Sequence, residues 1–134
     1  MFLVYGLVAG IIIGVFIIPP KPATPIGSPL LIPYNDIFRY NEVYVGKPIF
    51  IHGRIDDVVY GEGDYQELQV CTRDTSLGYS GDVVVVKFNG ERLLKNDIVG
   101  IYGRVKGLTT YKDFKGLTET APEIEPFQIQ RFTR

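Results

Sequence analysis

The chain divides into two parts with different patterns of hydrophobic and polar residues. From Phe2 to Ile18, seventeen consecutive residues carry no charge, and only Tyr5 has a polar side-chain group. A helix of this length extends roughly 25 Å, close to the thickness of a bilayer core. A helix that is apolar on every side is unusual in a soluble domain. Residues 1–18 are therefore predicted to form a transmembrane anchor helix.

Two other interpretations of this segment fit less well. A signal peptide would have a basic start and a small-residue cleavage site, and neither is present. A lipoprotein anchor would need a cysteine directly after the apolar run, whereas the only cysteine is Cys71. We therefore expect an uncleaved anchor, a single-pass membrane protein and direct contact with the lipid bilayer.

The orientation of the domain across the membrane is less well determined by the sequence. Lys21 and Arg39 are the first basic residues after the apolar run, and they favour an internal domain. An apolar segment followed by a proline-rich stalk is instead the usual build of an exported domain. We expect the domain to be extracytoplasmic.

Glycines recur at every fourth position of the apolar segment, at Gly6, Gly10 and Gly14. On a helix this spacing places all three on one face, where a second helix can approach closely. Glycine is also common in membrane helices without any such role. We predict that this face packs against another membrane protein or against a second copy of the chain.

A proline-rich stretch follows the anchor. Residues 19–33 contain six prolines, which fix φ and remove backbone donors, so this stretch is predicted to be an extended, semi-rigid linker. The folded domain is predicted to span residues 34–134.

From residue 34 onward the pattern changes to that of a β-rich domain. Residues 34–46 predict a short helix or a pair of turns ending at Gly46. Alternation of apolar and polar positions then predicts strands. The predicted strands lie in five segments: 48–60, 65–73, 82–89, 97–108 and 123–132. The residues predicted to face inward include Ile49, Ile51, Ile55, Leu68, Val70, Val99, Ile101, Val105, Phe127 and Ile129.

The first and fourth predicted strands share a pattern, I-x-I-x-G-R-I at 49–55 and V-x-I-x-G-R-V at 99–105. A glycine inside an apolar strand face usually marks a bulge or a sharp bend. Small barrels need such bends in order to close. A β-sandwich would be expected to need about seven strands. The fold is predicted to be all-β: a closed, five-stranded OB-like barrel behind the N-terminal transmembrane helix.

The C-terminal run from Leu93 to Ile129 resembles the last two strands of bacterial tRNA-anti-like OB-fold proteins. The likeness is carried by the segments "NDIVGIYGRVKG", "TY", a following glycine and "APEIEPFQI", and "GKPIFIHGRIDDV" is similar to that family's first strand. It covers about Tyr34 to Ile129. Members are often small exported or membrane-linked proteins with undefined ligands, so the resemblance implies the fold more than a function.

The residues that could support catalysis are few. His52 is the only histidine, and no neighbouring cysteine or acidic cluster has metal-ligand spacing. The acidic stretch at Asp56, Asp57, Glu62 and Asp64 lacks the alternation of an EF-hand loop, so it is interpreted as a solvated turn. Neither a serine nucleophile with a nearby histidine nor a phosphate-binding loop is found. We predict a non-enzymatic protein with no cofactor and no metal.

Basic and aromatic residues alternate between the last two predicted strands. The candidate ligand-binding residues are Tyr102, Arg104, Lys106, Tyr111, Lys112, Phe114 and Lys115. Single-stranded nucleic acids bind OB folds through basic residues that follow phosphates and aromatic rings that stack on bases. The same residues could instead be a solubilised hairpin, and the net charge of −1 with a pI of about 5.8 favours this reading.

The sequence therefore supports two functional hypotheses. The first is a membrane-anchored, non-catalytic interaction module that docks on a membrane protein complex as an accessory subunit. The second is single-stranded nucleic-acid binding through the loop between the last two strands. The identity of the partner cannot be derived from these residues.

Overall fold

The computed structural model describes residues 15–18 and 32–132. Two short helices, α1 (Tyr34–Arg39) and α2 (Asn41–Tyr44), precede most of the strands. The strands are β1 (Val15–Ile18), β2 (Pro48–Tyr60), β3 (Tyr65–Cys71), β4 (Asp74–Thr75), β5 (Gly78–Tyr79), β6 (Val83–Asn89), β7 (Ile98–Lys112) and β8 (Thr118–Phe132).

Five of these strands close into a barrel. β2 pairs with β3 on one side and with β7 on the other, β3 pairs with β6, and β7 pairs with β8, all antiparallel. A short parallel pairing of Val85 and Val86 in β6 with Glu123 and Ile124 in β8 completes the circle. A closed, mixed barrel of five strands is consistent with the OB-like fold predicted from the sequence.

The sequence pattern predicted the barrel strands well and the smaller strands not at all. β2 begins and ends where predicted, whereas β7 and β8 extend four and five residues further towards the turn that joins them. The outer positions of these extensions face solvent, so the sequence there shows no clear alternation of apolar and polar residues. For this reason the extensions were not predicted. The two-residue strands β4 and β5 form a small hairpin within the loop between β3 and β6.

The barrel interior consists of branched aliphatic side chains. Fully buried members of the core include Ile55, Leu68, Val70, Val86, Val99, Ile101, Val105, Ile124 and Ile129. A polar side chain, that of Gln66 on β3, is also buried, at the end of the barrel. Its amide nitrogen donates to the carbonyls of Gly90 and Glu91, and its amide oxygen accepts from the backbone N–H of Leu93. These bonds fix the loop that inserts Leu93 into the core.

The two strand glycines lie where a neighbouring backbone approaches closely. The predicted bulge is present at Gly103, whereas the pairing of β2 with β7 keeps its register through Gly53. A Cβ on Gly53 would overlap the carbonyl oxygen of Cys71, and a Cβ on Gly103 would overlap that of Glu125. The pairing of β7 with β8 also shifts register between Tyr102 and Gly103, which is a bulge. Glycine is therefore required here by the closeness of the neighbouring strand rather than by an unusual φ angle.

The bulge changes the position of Phe127, which was predicted to face the core with Ile129. Gln128 pairs with Tyr102 and Pro126 with Gly103, so Phe127 is the extra residue of the bulge. It is buried against Tyr102 and Arg104 instead. The predicted burial of Phe127 is confirmed, although its ring lies outside the main aliphatic cluster. The extra residue interrupts the alternation of β8 at this point.

Two predictions at the N-terminal end have different outcomes. The helix or turn pair before Gly46 is confirmed as α1 and α2, and Gly46 follows with φ +87°. Val15–Ile18, predicted as the end of the anchor helix, is instead strand β1, antiparallel to Ile129–Phe132 of β8. The helix prediction is wrong for these four residues. Three of them are β-branched and the fourth is aromatic, and both classes favour strands.

The remaining predictions for the N-terminal segment concern undescribed residues. Residues 1–14, with Gly6, Gly10 and Gly14, and most of the linker lie outside the described part of the chain. Among the described residues, none of the helices has the length and apolar character needed to cross a membrane.

Candidate binding surface

The seven candidate residues lie along one long hairpin formed by β7 and β8. We call the part that belongs to the barrel, residues 98–105 with 124–132, the inner half. Residues 106–123, which include the turn, form the outer half. Tyr102 and Arg104 belong to the inner half. Lys106, Tyr111, Lys112, Phe114 and Lys115 belong to the outer half. The structure therefore divides the candidate residues into two groups.

In the inner half, Tyr102 and Arg104 pack around the bulged Phe127. The Tyr102 and Phe127 rings meet edge to face with centroids 5.7 Å apart. The Arg104 guanidinium carbon lies 4.8 Å from the centre of the Phe127 ring, and Arg104 Nε lies 3.3 Å from a Glu125 carboxylate oxygen. Arg104 is thus engaged by a ring and by a carboxylate, which reduces the positive potential available to a phosphate.

Where the two halves meet, one buried carboxylate binds two lysines. Lys106 is the extra residue of a second bulge, and its Nζ lies 3.5 Å from Glu123 Oε2. Lys87 Nζ from β6 lies 3.6 Å from the other carboxylate oxygen of Glu123. Lys106 is therefore paired with a carboxylate of the chain itself.

The outer half lies across the outer face of β3. The Gln69 amide nitrogen donates to the carbonyl of Lys112 at 3.2 Å, and Lys87 Nζ donates to Thr109 Oγ1 at 3.3 Å. Gln69 and Cys71 alternate with the inward-facing Leu68 and Val70, which predicts that they face outward with Glu67, but both are buried. This part of the prediction is wrong, and for Gln69 the reason is that the hairpin covers a face that strand alternation alone would leave open.

The turn of the hairpin is held by Asp113. Its Oδ1 accepts hydrogen bonds from the backbone N–H groups of Lys115 and Leu117, both at 2.9 Å. Gly116 adopts φ +84°, which suits glycine. The turn leaves Phe114 89% exposed, with Lys115 Nζ 5.6 Å from the centre of its ring.

Two clefts of about 340 Å³ each lie between the outer half and the outer faces of β2 and β3. Both contain Asp57 and Gln69. Four carboxylates and two lysines line them together: Asp56, Asp57, Glu67, Asp113, Lys95 and Lys112. Of the acidic stretch that was predicted to be a solvated turn, Asp56 and Asp57 belong to β2 and line these clefts beside the basic and aromatic loop, whereas Glu62 and Asp64 are exposed in the turn. The two segments are far apart along the chain, so their proximity could not be predicted from the sequence. Only the folded hairpin brings them together.

Two pKa shifts agree with this charge balance. Burial raises the pKa of the Tyr111 phenol, and the nearby carboxylates of Glu119 and Asp113 raise it further. Burial also raises the pKa of the Cys71 thiol, with an additional contribution from Asp56. Burial is the larger cause for both groups, so the phenol and the thiol both stay neutral at ordinary pH.

His52 lies outside this surface, in an aromatic group on the other part of β2. Its Nδ1 is hydrogen-bonded to the Tyr79 hydroxyl, which attaches the β4–β5 hairpin to the barrel. Its ring centroid lies 5.1 Å from that of Phe132. Among the described residues, no three His, Cys, Asp or Glu side chains form a group that could hold a metal ion.

Comparison with known proteins gives a likeness of fold. No family model and no curated protein matches the chain. A solved structure described as OBody AM3L09 bound to hen egg-white lysozyme is similar to the chain with a TM-score of 0.50 and 20% sequence identity. The likeness covers 69% of this chain and 87% of that one. At this identity it extends to the fold alone, so the tRNA-anti-like resemblance stays a prediction.

Proposed function

We propose that the chain is a non-catalytic OB-like interaction module, held at a membrane by its apolar N-terminal segment, that docks on a membrane protein complex as an accessory subunit. The docking element is the turn of the β7–β8 hairpin. The glycine face at Gly6, Gly10 and Gly14 supplies the second contact in this proposal, within the bilayer.

One observation carries the proposal: the exposure of Phe114 at the end of the longest hairpin of the described chain. Leu117, in the same turn, is 57% exposed. The turn itself is held by Asp113, so a polar residue at position 114 would serve the fold equally well. Large aromatic side chains displayed in this way are typical anchors of protein interfaces.

The test is a pull-down of the full-length chain after extraction in mild detergent, with mass spectrometry of the co-purifying proteins. We expect a stoichiometric membrane protein with the unchanged chain and at least a tenfold reduced yield with Phe114→Ala, a loss of about 1.4 kcal/mol of binding free energy. Val43→Ala, which also removes an exposed apolar side chain, is the matched control. A chain that purifies without any partner would refute the docking role.

Single-stranded nucleic-acid binding remains the second candidate because Lys112, Phe114 and Lys115 are exposed together around the turn. It predicts oligonucleotide binding by the full chain that weakens as salt increases and that is reduced in Lys112→Ala and Tyr111→Ala. The carboxylates of the adjacent clefts and the internal pairing of Lys106 weigh against it. No binding at low salt would exclude this candidate.

A further inference from the structure

The edge of β8 that faces away from β7 changes its neighbour along the strand. At Glu123 and Ile124 it pairs in parallel with β6, and this pairing closes the barrel. Further on, from Ile129 to Phe132, the described neighbour on that edge is β1, which pairs antiparallel over all four of its residues. β1 therefore fills a stretch of strand edge that the barrel strands do not cover.

The closed barrel is complete without β1. The circle of β2, β3, β6, β8 and β7 lies entirely within residues 48–132. β1 precedes the linker in the sequence, and the described strand with which it pairs is β8. Residues 15–18 of a second copy would make the same backbone bonds with β8, because the two copies are identical. The pairing of β1 with β8 is therefore compatible with one chain or with two.

The length of the linker distinguishes these two arrangements. Ile18 ends β1 opposite Ile129, and the described chain resumes at Ile32. A proline-rich stretch extends about 3.1 Å per residue, so the chain from Ile18 to Ile32 would extend about 43 Å. A folded domain of about 100 residues has a radius of gyration of about 13 Å and is therefore roughly 33 Å across. An extended linker is longer than the barrel is wide.

Within a single chain, the two ends of the linker lie much closer together than this length. Ile129 is three residues from Phe132 along β8, a distance of about 10 Å. The Phe132 ring centroid lies 5.1 Å from that of His52, and His52 lines the same cavity beside α1 as Ile32 does. The linker would have to turn back on itself to join these points, and its six prolines disfavour this. A linker that reaches a second copy needs no such turn.

We propose that the β8 edge at Ile129–Phe132 is an interface between two copies of the chain, in which residues 15–18 of each copy pair with β8 of the other. The exchange is reciprocal, so the dimer has two-fold symmetry. β1 contains neither charge nor proline, which are the residues that edge strands use to prevent pairing with another chain. This interface is independent of the hairpin turn and of the proposed docking role.

Two single-cysteine variants test the exchange, both made in the full-length chain with Cys71 replaced by alanine. Ile17 and Gln130 lie opposite each other in the register of β1 and β8. The Cβ atoms of opposed residues are about 5 Å apart, close enough for a disulfide after a small adjustment. Ile17→Cys and Gln130→Cys carry different affinity tags, are co-expressed, and are extracted in mild detergent before oxidation. We expect a disulfide-linked species that carries both tags as the main product.

A matched control and a second measurement complete the test. Leu77→Cys, at an almost fully exposed position between β4 and β5, replaces Gln130→Cys in the control and should give about tenfold less of the two-tag species. Light scattering of the unchanged chain in detergent should show a protein mass twice that of one chain. A two-tag yield no higher than in the control, or a monomeric mass, would overturn the proposal.

This test is separate from the test of the docking role. Neither the crosslink nor the mass requires a membrane protein partner, and both leave Phe114 unchanged. Failure of the strand exchange can therefore be distinguished from failure of the pull-down.

Discussion

The inner and outer halves of the β7–β8 hairpin are formed by the same two strands but have opposite properties. In the inner half, the odd-numbered residues of β7 from Val99 to Val105 are buried, and Arg104 is engaged by Phe127 and Glu125. In the outer half, alternate residues of β7 are exposed and the turn displays Phe114. The bulge at Lys106 and the buried Glu123 mark the boundary.

Under the proposed docking role, one hairpin would serve stability at one end and recognition at the other. Substitutions in the inner half should act on folding, because its residues are packed on both sides. Substitutions at the turn should act on binding, because few packing contacts are lost there. The following predictions test this division, from the largest expected effect on stability to the smallest.

The largest effect is expected for Gly103→Ala in the inner half. The new methyl group would overlap the Glu125 carbonyl of the paired strand, so the backbone has to move, at a cost of about 3 kcal/mol. Gly116→Ala in the turn meets no neighbouring atom and suffers only from its positive φ, at a cost of about 1 kcal/mol. Urea unfolding of both variants measures the difference. Equal losses would contradict the division into two halves.

The second prediction concerns the boundary. Glu123→Gln removes the negative charge that binds Lys87 and Lys106 and is expected to destabilise the fold by about 1–2 kcal/mol, because the carboxylate is buried. Glu119→Gln, at an exposed position in the outer half, is the matched control and should change stability by less than about 0.5 kcal/mol. Thermal unfolding at fixed pH compares them. A Glu123→Gln variant with the stability of the unchanged chain would show that the boundary does not depend on this charge.

The third prediction is a loss of stability at alkaline pH. The pKa values of Tyr34 and Tyr111 are raised in the folded chain, mainly by burial and then by Asp82 and Glu119 respectively. Above the ordinary tyrosine pKa of about 10, the unfolded chain releases these protons first. The folded state then binds more protons than the unfolded state, so the free energy of unfolding falls as pH rises.

Variants separate the two tyrosines in this pH dependence. Tyr34 has the larger shift and is bonded to Val83 in the barrel, so Tyr34→Phe should flatten the alkaline decline more than Tyr111→Phe. Unfolding in urea across this pH range provides the measurement. A steeper decline in either variant would contradict the assignment.

The smallest effect on stability is expected for Phe114→Ala. Because the side chain is almost fully exposed, the free energy of unfolding should change by less than about 0.5 kcal/mol. The same variant is expected to lose the partner in the pull-down. A clearly destabilised Phe114→Ala would mean that Phe114 serves the fold, and the proposed docking element would then be wrong.

Local patterns in the sequence were sufficient for the five barrel strands and for the closure that Gly53 and Gly103 allow. Period-two alternation reports which residues face a core, and a glycine within such a face indicates a bulge or a bend, which the structure has at Gly103. These are properties of a strand and its immediate neighbours. These properties of β2 and β7 could therefore be predicted from the sequence without any knowledge of the fold.

The tertiary structure alone decided which long-range neighbours each surface residue has. The bulge at Phe127 placed that ring against Tyr102 and Arg104, and the outer half covered Gln69 on a distant strand. It also brought Asp57 and Glu67 into one cleft with Lys112, so carboxylates lie beside the basic residues predicted to bind nucleic acid. A sequence pattern records the periodicity of a single strand or helix. The burial of a residue and the electrostatic potential around it depend on the residues that the closed barrel places opposite it.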